Sequence, residues 1–245
     1  GILMTIDKND SVVTTYRDHG HLIARGLDPK RIMAELTGRE DGYSAGKGGS
    51  MHMFSKENNF YGGHGIVGAQ VPIGTGIAFT HKYNGEKNIC RTYIGDGAMN
   101  NGQVFEAFNL AALWKLPVLY IIENNKYGMG TSVDRAAAGL DLYKRGEAFG
   151  IPGEKVDGMN VFSVIEAADK AGKYVREGNG PYIIEVQTYR YRGHSMSDPA
   201  KYRTKEELDN YKQTDPIEIV KAEILKKKIA TNDEIEKINK DTLEE

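Results

Sequence analysis

The sequence predicts an α/β fold: a doubly wound, mostly parallel sheet followed by a helical C-terminal extension over 203–245, with 1–245 read as a single domain. Three observations predict it. β-Prone apolar runs at 12–15, 92–94, 118–122 and 181–187 alternate with segments of helical periodicity, the pattern of βαβ units. The stretch 92–132 contains one complete unit: strand, glycine turn, helix, strand, asparagine turn. At 245 residues the chain is long enough to bury a substantial core.

Taken in order, 12–15 is a short apolar strand with Tyr16, Arg17 and His19 at its end. An arginine at a strand end can meet a phosphate bidentately, although Arg17 taken alone reads as a surface ion-pair partner. Asp28 and Pro29 supply an N-cap and an N1 proline for a helix that Thr37-Gly38 ends. Residues 38–69 show no periodicity, are rich in glycine and carry interleaved Tyr43, Met51, Met53, Phe54, Phe60 and Tyr61, so they are expected to form an active-site loop. The 29 glycines of the chain cluster between 38 and 102, which suggests backbone lying close to a ligand. A helix carrying Gly74 and Gly76 then runs to Tyr83 and stops at Asn84-Gly85. Its G-T-G lacks the third glycine of a dinucleotide fingerprint and follows no clean strand, which argues against a nicotinamide site.

In the central unit the strand at 92–94 stops at Gly95-Asp96-Gly97. Val104, Phe105, Phe108, Leu110, Ala111 and Leu113 then recur at helical spacing, and Pro117 opens the run 118–122. Parallel strands of one unit finish on the same side of the sheet, so Asp96 and the pair Asn124-Asn125 belong together at its carboxyl edge, where open α/β sheets bind ligands. Gly95 and Gly97 let backbone approach a ligand, Asp96 offers a hard anionic oxygen and Asn125 a neutral one. Such oxygens suit magnesium, which is held by one or two protein groups plus phosphate oxygens, so this edge is expected to hold a metal and a diphosphate. Either tripeptide alone would read as a tight turn or a helix cap.

Beyond the unit, 140–149 is expected to be helical, 155–157 a short strand, and 161–177 an amphipathic helix with Val164, Ile165, Ala168, Ala171 and Val175 inward. The buried strand 181–187 leads into a second polar loop, 188–203, that carries His194 between Gly193 and Ser195. The extension opens with the capping box Thr204/Glu207. It continues with a helix over 216–229 presenting Ile217, Val220, Ile224 and Leu225, and closes with the box Thr231/Glu234 and a helix over 232–245.

The net charge of −2 argues against a general nucleic-acid or membrane partner, and Asp198 argues the same for the alternating Tyr and Arg of 189–192. The lone Cys90 excludes an internal disulfide and fits a reducing compartment, and no apolar run is long enough to span a bilayer. A soluble intracellular protein is expected.

The central unit, together with GGHGIVGAQVPIGTG at 62–76, YRDHG at 16–20 and YRGHSMSDPAKYRT at 191–204, closely resembles the alpha subunits of the pyruvate dehydrogenase decarboxylating component. These belong to the thiamine diphosphate-dependent 2-oxo acid dehydrogenases. The resemblance covers nearly the whole chain. It implies the thiamine diphosphate-binding fold, with N-terminal helices and a short C-terminal segment of the family lying outside this chain. It implies magnesium bound by Asp96, Asn125 and the backbone carbonyl of Tyr127. The diphosphate would be bound by Tyr16, Arg17 and backbone groups at Gly95, Gly97 and Ala98, with Gly65 and Val67 against the aminopyrimidine. His194 would lie beside the diphosphate and move a proton as the acyl group passes to a lipoyl domain of the dihydrolipoyl acetyltransferase core. Activation of the cofactor requires a glutamate that the family places in the beta subunit; Glu106 and Glu123 are no substitute, so an α2β2 heterotetramer acting on pyruvate is implied. The family would act in the bacterial cytoplasm or the mitochondrial matrix. Ser195 and Ser132 align with positions phosphorylated in mitochondrial members, but this loop is one residue shorter and has no serine before Tyr202. Alpha subunits of branched-chain 2-oxo acid or acetoin dehydrogenases are the alternative within the class.

Overall fold

The computed structural model describes residues 1–244. The expected end of the last helix at Glu245 lies outside the described residues. The sheet elements are β1 (Ser11–Thr15), β2 (Phe60–His64), β3 (Cys90–Gly95), β4 (Val118–Asn124), β7 (Gly153–Asp157) and β8 (Tyr182–Gln187), with a separate two-residue ladder of β5 (Tyr127–Gly128) and β6 (Thr131–Ser132). The helices are α1 (His19–Ala24), α2 (Pro29–Leu36), α3 (Gln70–Tyr83), α4 (Gly102–Leu113), α5 (Val133–Ala136), α6 (Val161–Arg176), α7 (Lys205–Lys212), α8 (Pro216–Lys226) and α9 (Asn232–Glu244).

The large sheet runs β2-β1-β3-β4-β8-β7 and every pairing in it is parallel. The chain steps from β1 to β2 in one direction and from β3 through β4 to the edge strand β7 in the other, with β8 filling the place between β4 and β7, so the order reverses between β1 and β3. Side chains alternate across the pleat. Leu119 and Ile121 of β4 pack with Leu22, Ile32, Ala168 and Ala171 of α1, α2 and α6. Val118, Tyr120 and Ile122 face Val71, Ala78, Val104 and Phe108 of α3 and α4. Helices therefore cover both faces, as a doubly wound sheet requires. Among the described residues no helix is long and apolar enough to cross a membrane.

Local expectations held where a cap or a period was present. Asp28 accepts from Lys30 N–H at 2.8 Å; the structure adds a cap the sequence reading did not name, Asn160 on the N–H groups of Phe162 and Ser163. Val164, Ala168, Ala171 and Val175 are buried, with Ile165 half-buried. One expectation needs correction. The stretch 38–69 is not all loop, because Phe60–His64 forms an inserted strand beside β1. Gly62 and Gly63 give it no side-chain alternation, and the register shifts there, as glycine in a strand commonly marks. The expected helix at 140–149 forms as a 3-10 helix over Leu142–Phe149. On α8, Val220, Ile224 and Leu225 are half-buried and Ile217 is 74% exposed.

The glycines of 42–49 also proved to serve the chain itself. The buried carboxylate of Glu35, at the end of α2, accepts from the backbone N–H groups of Ser44 (2.7 Å), Gly46 (2.8 Å), Gly48 (2.6 Å) and Gly49 (3.1 Å). A Cβ at Gly42 would stand 2.3 Å from that carboxylate, which is why a glycine is needed there. Burial works against the charged form, but the four N–H donors prevail and hold the Glu35 carboxyl below its ordinary value.

At the amino ends of the strands, the fully buried Asp10 pairs with Arg91, itself 1% exposed, and with Arg176 at 2.8 Å; Ile89 N–H adds a bond at 2.8 Å. Burial alone would raise the Asp10 carboxyl, but the two arginines and Ile89 bring it below the ordinary range. Removing it strands a buried guanidinium, so Asp10→Ala should lower unfolding stability by about 3–5 kcal/mol in a denaturant titration. Because the folded carboxyl is depressed, this contribution is present above the ordinary carboxylate value and fades as pH falls through the folded one. The difference between wild type and variant should therefore shrink in acid.

Candidate functional site

Parallel pairing brings the carboxyl ends of β1, β3, β4 and β8 to one edge, where a cavity of about 590 Å³ opens at the reversal of strand order. Thr15, Gly95, Glu123 and Thr188 reach it directly from the four strand ends. Tyr16, Arg17, Val67, Asp96, Gly97, Ala98, Asn125 and Tyr127 complete the set of expected residues that line it.

β3 and β4 run in step from Cys90 opposite Val118 to Gly95 opposite Glu123, so the turns that follow them start side by side. Met99 N–H is bonded back to Asp96 O at 3.3 Å, leaving the amides of Gly97 and Ala98 ahead of that ladder. A Cβ at Gly97 would lie 3.3 Å from Gly128 Cα, and the reverse holds for Gly128, so a side chain on either turn would crowd the other. The Asp96 side chain is nearly buried. Desolvation raises its carboxyl above the ordinary value, against hydrogen bonds from its own backbone and from Asn125 and the charges of Arg190 and Lys126.

The two asparagines divide. Asn124 is turned into the interior, where its Nδ2 donates to Glu185 Oε1 at 2.8 Å. Asn125 faces the cavity, and its Oδ1 accepts only a long bond of 3.3 Å from Tyr127 N–H. The Tyr127 carbonyl accepts from Arg190 Nη1 at 3.2 Å, which leaves it a second lone pair. A carboxylate, an amide oxygen and a carbonyl form an all-oxygen donor set, chemically suited to a hard divalent cation. The free amides of Gly97 and Ala98, with Arg17 across the cavity, suit an anion beside it.

Other expected residues fall at the rim or away from it. Val67 is on the wall and is secured by bonds from Asn101 Nδ2 (3.1 Å) and Gln103 Nε2 (3.4 Å) to its carbonyl, whereas Gly65 is not a lining residue and packs toward the His52 ring. His194 stands at the rim: Arg17 Nη2 lies 3.1 Å from its Nδ1 and donates to its carbonyl at 2.9 Å, and its ring meets Tyr16 edge-on. Arg17 therefore holds the His194 loop and is not the surface ion-pair partner that it resembles alone. His194 N–H donates to Asp198 Oδ2 at 2.6 Å; this bond, with those from Tyr202 OH and Ala200 N–H, holds the Asp198 carboxyl down at about 2. Ser195 is exposed and paired with Ser197, while Ser132 lies in the β5–β6 ladder opposite Tyr127.

Sequence reasoning passed over three wall residues. Gln70 is buried with its Nε2 on Tyr93 O and its Oε1 without a partner. Arg190 donates to the carbonyls of Tyr127 and Met129 and to Tyr202 OH, a role that its Tyr/Arg alternation conceals. Glu123 was set aside, yet it lines the cavity, 3.2 Å from His21 Nε2. Burial disfavours the charged His21 imidazole, but Glu123 outweighs that and raises it above its ordinary value, so this carboxylate is already engaged. Glu106 lies exposed on α4.

The sequence matches the family described as "Dehydrogenase E1 component" over residues 1–245. The chain belongs to that family. Among dehydrogenase E1 relatives, the pyruvate dehydrogenase E1 component subunit alpha of Rickettsia felis is 60% identical over 237 residues, covering 97% of this chain and 73% of that protein. Its counterpart in Rhizobium meliloti is 59% identical over 242 residues, covering 98% and 70%. The mitochondrial subunit of Dictyostelium discoideum is 56% identical, and this chain spans 64% of its length. Among solved structures, an enzyme from Mycobacterium smegmatis described as thiamin diphosphate-dependent superposes with a TM-score of 0.53 at 19% identity, over 77% of this chain and 30% of that one. That likeness shows that the dehydrogenase E1 fold seen here is shared with the neighbour.

Burial, Arg17 and Arg190 together push the His194 imidazole below its ordinary value, with Asp198 opposing. A histidine NMR titration should place its midpoint under the usual value near 6.5. Arg17→Ala should move the midpoint up and Asp198→Asn should move it down.

Proposed function

We propose that this chain is the alpha subunit of a pyruvate dehydrogenase that decarboxylates pyruvate and passes the acetyl group to a lipoyl domain. Residues 1–245 would act as one cofactor-binding domain with 203–245 as its extension. The observation that carries the reading is that Asp96, Asn125, the Tyr127 carbonyl and Arg17 line one cavity at the strand-order reversal. The names of the most similar relatives support the choice of substrate.

Asp96, Asn125 and the Tyr127 carbonyl hold magnesium through oxygen. Tyr16, Arg17 and the Gly95–Ala98 turn hold the diphosphate by charge and by backbone donors. Val67, on the cavity wall, faces the aminopyrimidine end. Thiamine diphosphate supplies, when bound, an electron sink that lets a 2-oxo acid lose carbon dioxide. His194 is the proton carrier for transfer to the lipoyl sulfur, and the nearby guanidinium charges favour its neutral form, which can accept a proton near neutral pH. Ser195 and Ser132 are accessible hydroxyls at which a phosphate would add negative charge beside the diphosphate site. The glutamate that activates the cofactor comes from a beta subunit in an α2β2 assembly, which would work in the bacterial cytoplasm or the mitochondrial matrix.

The reading is tested by reconstituting the full-length chain with a beta subunit and comparing pyruvate, branched-chain 2-oxo acids and acetoin as substrates. Pyruvate should be preferred, and preference for either of the others would overturn the choice of substrate. Asp96→Ala should abolish magnesium-dependent binding of thiamine diphosphate, measured calorimetrically; unchanged affinity would remove the metal assignment. His194→Ala should lower acetylation of a free lipoyl domain about 10²–10⁴-fold, the usual range for loss of general acid–base catalysis, while leaving cofactor affinity intact.

A further inference from the structure

Behind the cavity wall, Glu207 occupies the third position of α7, where a capping box would turn its carboxylate back to the Thr204 N–H. The second box in this chain does so: Glu234 Oε2 accepts from Thr231 N–H at 2.7 Å. Glu207 keeps half of the motif, donating its N–H to Thr204 Oγ1 at 3.1 Å, but its carboxylate goes elsewhere. Tyr127 OH stands 3.0 Å from each of its oxygens, and Tyr189 OH stands 2.8 Å from Oε1.

These phenols come from different parts of the fold. Tyr127 belongs to the turn after β4 that contributes a carbonyl to the cavity, and Tyr189 opens the 188–203 loop that carries His194. Both rings are buried and both residues line the cavity, while their hydroxyls point away to Glu207. Tyr189 is also stacked on Tyr211 of α7, with centroids 3.9 Å apart and planes 7° apart. Both hydroxyls donate to the one Glu207 carboxylate. Two neutral donors sharing one carboxylate are linked: a shift of either turn changes the acceptor available to the other.

We propose that Glu207 is a positioning residue that couples cation binding at the Tyr127 turn to the placement of the His194 loop. This rests on the proposed reading of Tyr127 as part of the cation site. Arg190 also spans the two segments, but it lines the cavity itself. Glu207 does not line the cavity, so it can be varied without changing its lining.

The test uses the full-length chain assembled with its beta subunit and follows tryptic cleavage of the 188–203 loop, at Arg190, Arg192, Lys201 and Arg203, as magnesium is added at saturating thiamine diphosphate. In the wild type, magnesium should protect the loop. Glu207→Ala should raise the magnesium concentration for half-protection about tenfold, the scale of one lost bond to a charged acceptor. Glu207→Gln, whose amide oxygen still accepts, should recover part of it. Glu206→Ala, which removes a neighbouring exposed charge from the same helix start, should leave it unchanged. Tyr127→Phe and Tyr189→Phe, each deleting only a hydroxyl, should be non-additive in the wild type and additive in the Glu207→Ala background. Equal behaviour of Glu207→Ala and Glu206→Ala, or additivity of the two phenylalanine variants in the wild type, overturns the coupling. The phenylalanine pair keeps the test decisive if Glu207→Ala fails to assemble. Magnesium-dependent protection that survives Asp96→Ala would instead overturn the underlying assignment of the cation site.

Discussion

The cavity depends first on a backbone constraint, the common parallel register of β1, β3, β4 and β8. Parallel hydrogen bonding obliges all four strands to finish on the same edge, so the turns that follow them start within reach of one another. The side-chain period of two adds a second restriction, because a slip of one residue would exchange the two core faces and turn every side chain over. With β3 and β4 locked in step, the Gly97 turn meets Gly128, and Asp96 and Asn125 share one opening.

The two ends of the sheet handle buried charge in opposite ways. At the amino end, Asp10 has Arg91, Arg176 and a backbone amide, a fully paired arrangement that stabilises the packing. At the carboxyl end Asp96 is nearly as buried but has charges only at a distance, and its carboxyl moves up instead of down. A carboxylate with incomplete local compensation beside an open cavity is a candidate ligand-binding group.

Much of this was legible in the sequence because the relevant signals are local. The glycines around Asp96, the Pro117 start of β4 and the Asp28 cap each act within a few residues. The rest depended on distance. Phe60–His64 is a strand only because β1 offers it an edge, and its glycines erase the alternation that would have announced it. Arg190 gains its role from carbonyls more than sixty residues earlier in the chain. Which of Asn124 and Asn125 faces the cavity is decided by the pleat and by Glu185, and no dipeptide pattern carries that information. Glu35 was hidden for the same reason, since four donors converge on it from residues 44–49, which have no periodicity of their own.

That last arrangement separates the two glycine-rich stretches functionally. The amide groups of 44–49 surround an anion that the chain carries covalently, so its effective concentration is fixed by the fold and does not depend on any solute. A dissolved phosphate would have to displace a tethered competitor held by four bonds, whereas Gly97 and Ala98 line the open cavity. The same backbone chemistry is thus satisfied by the chain itself in one place and borders an open cavity in the other.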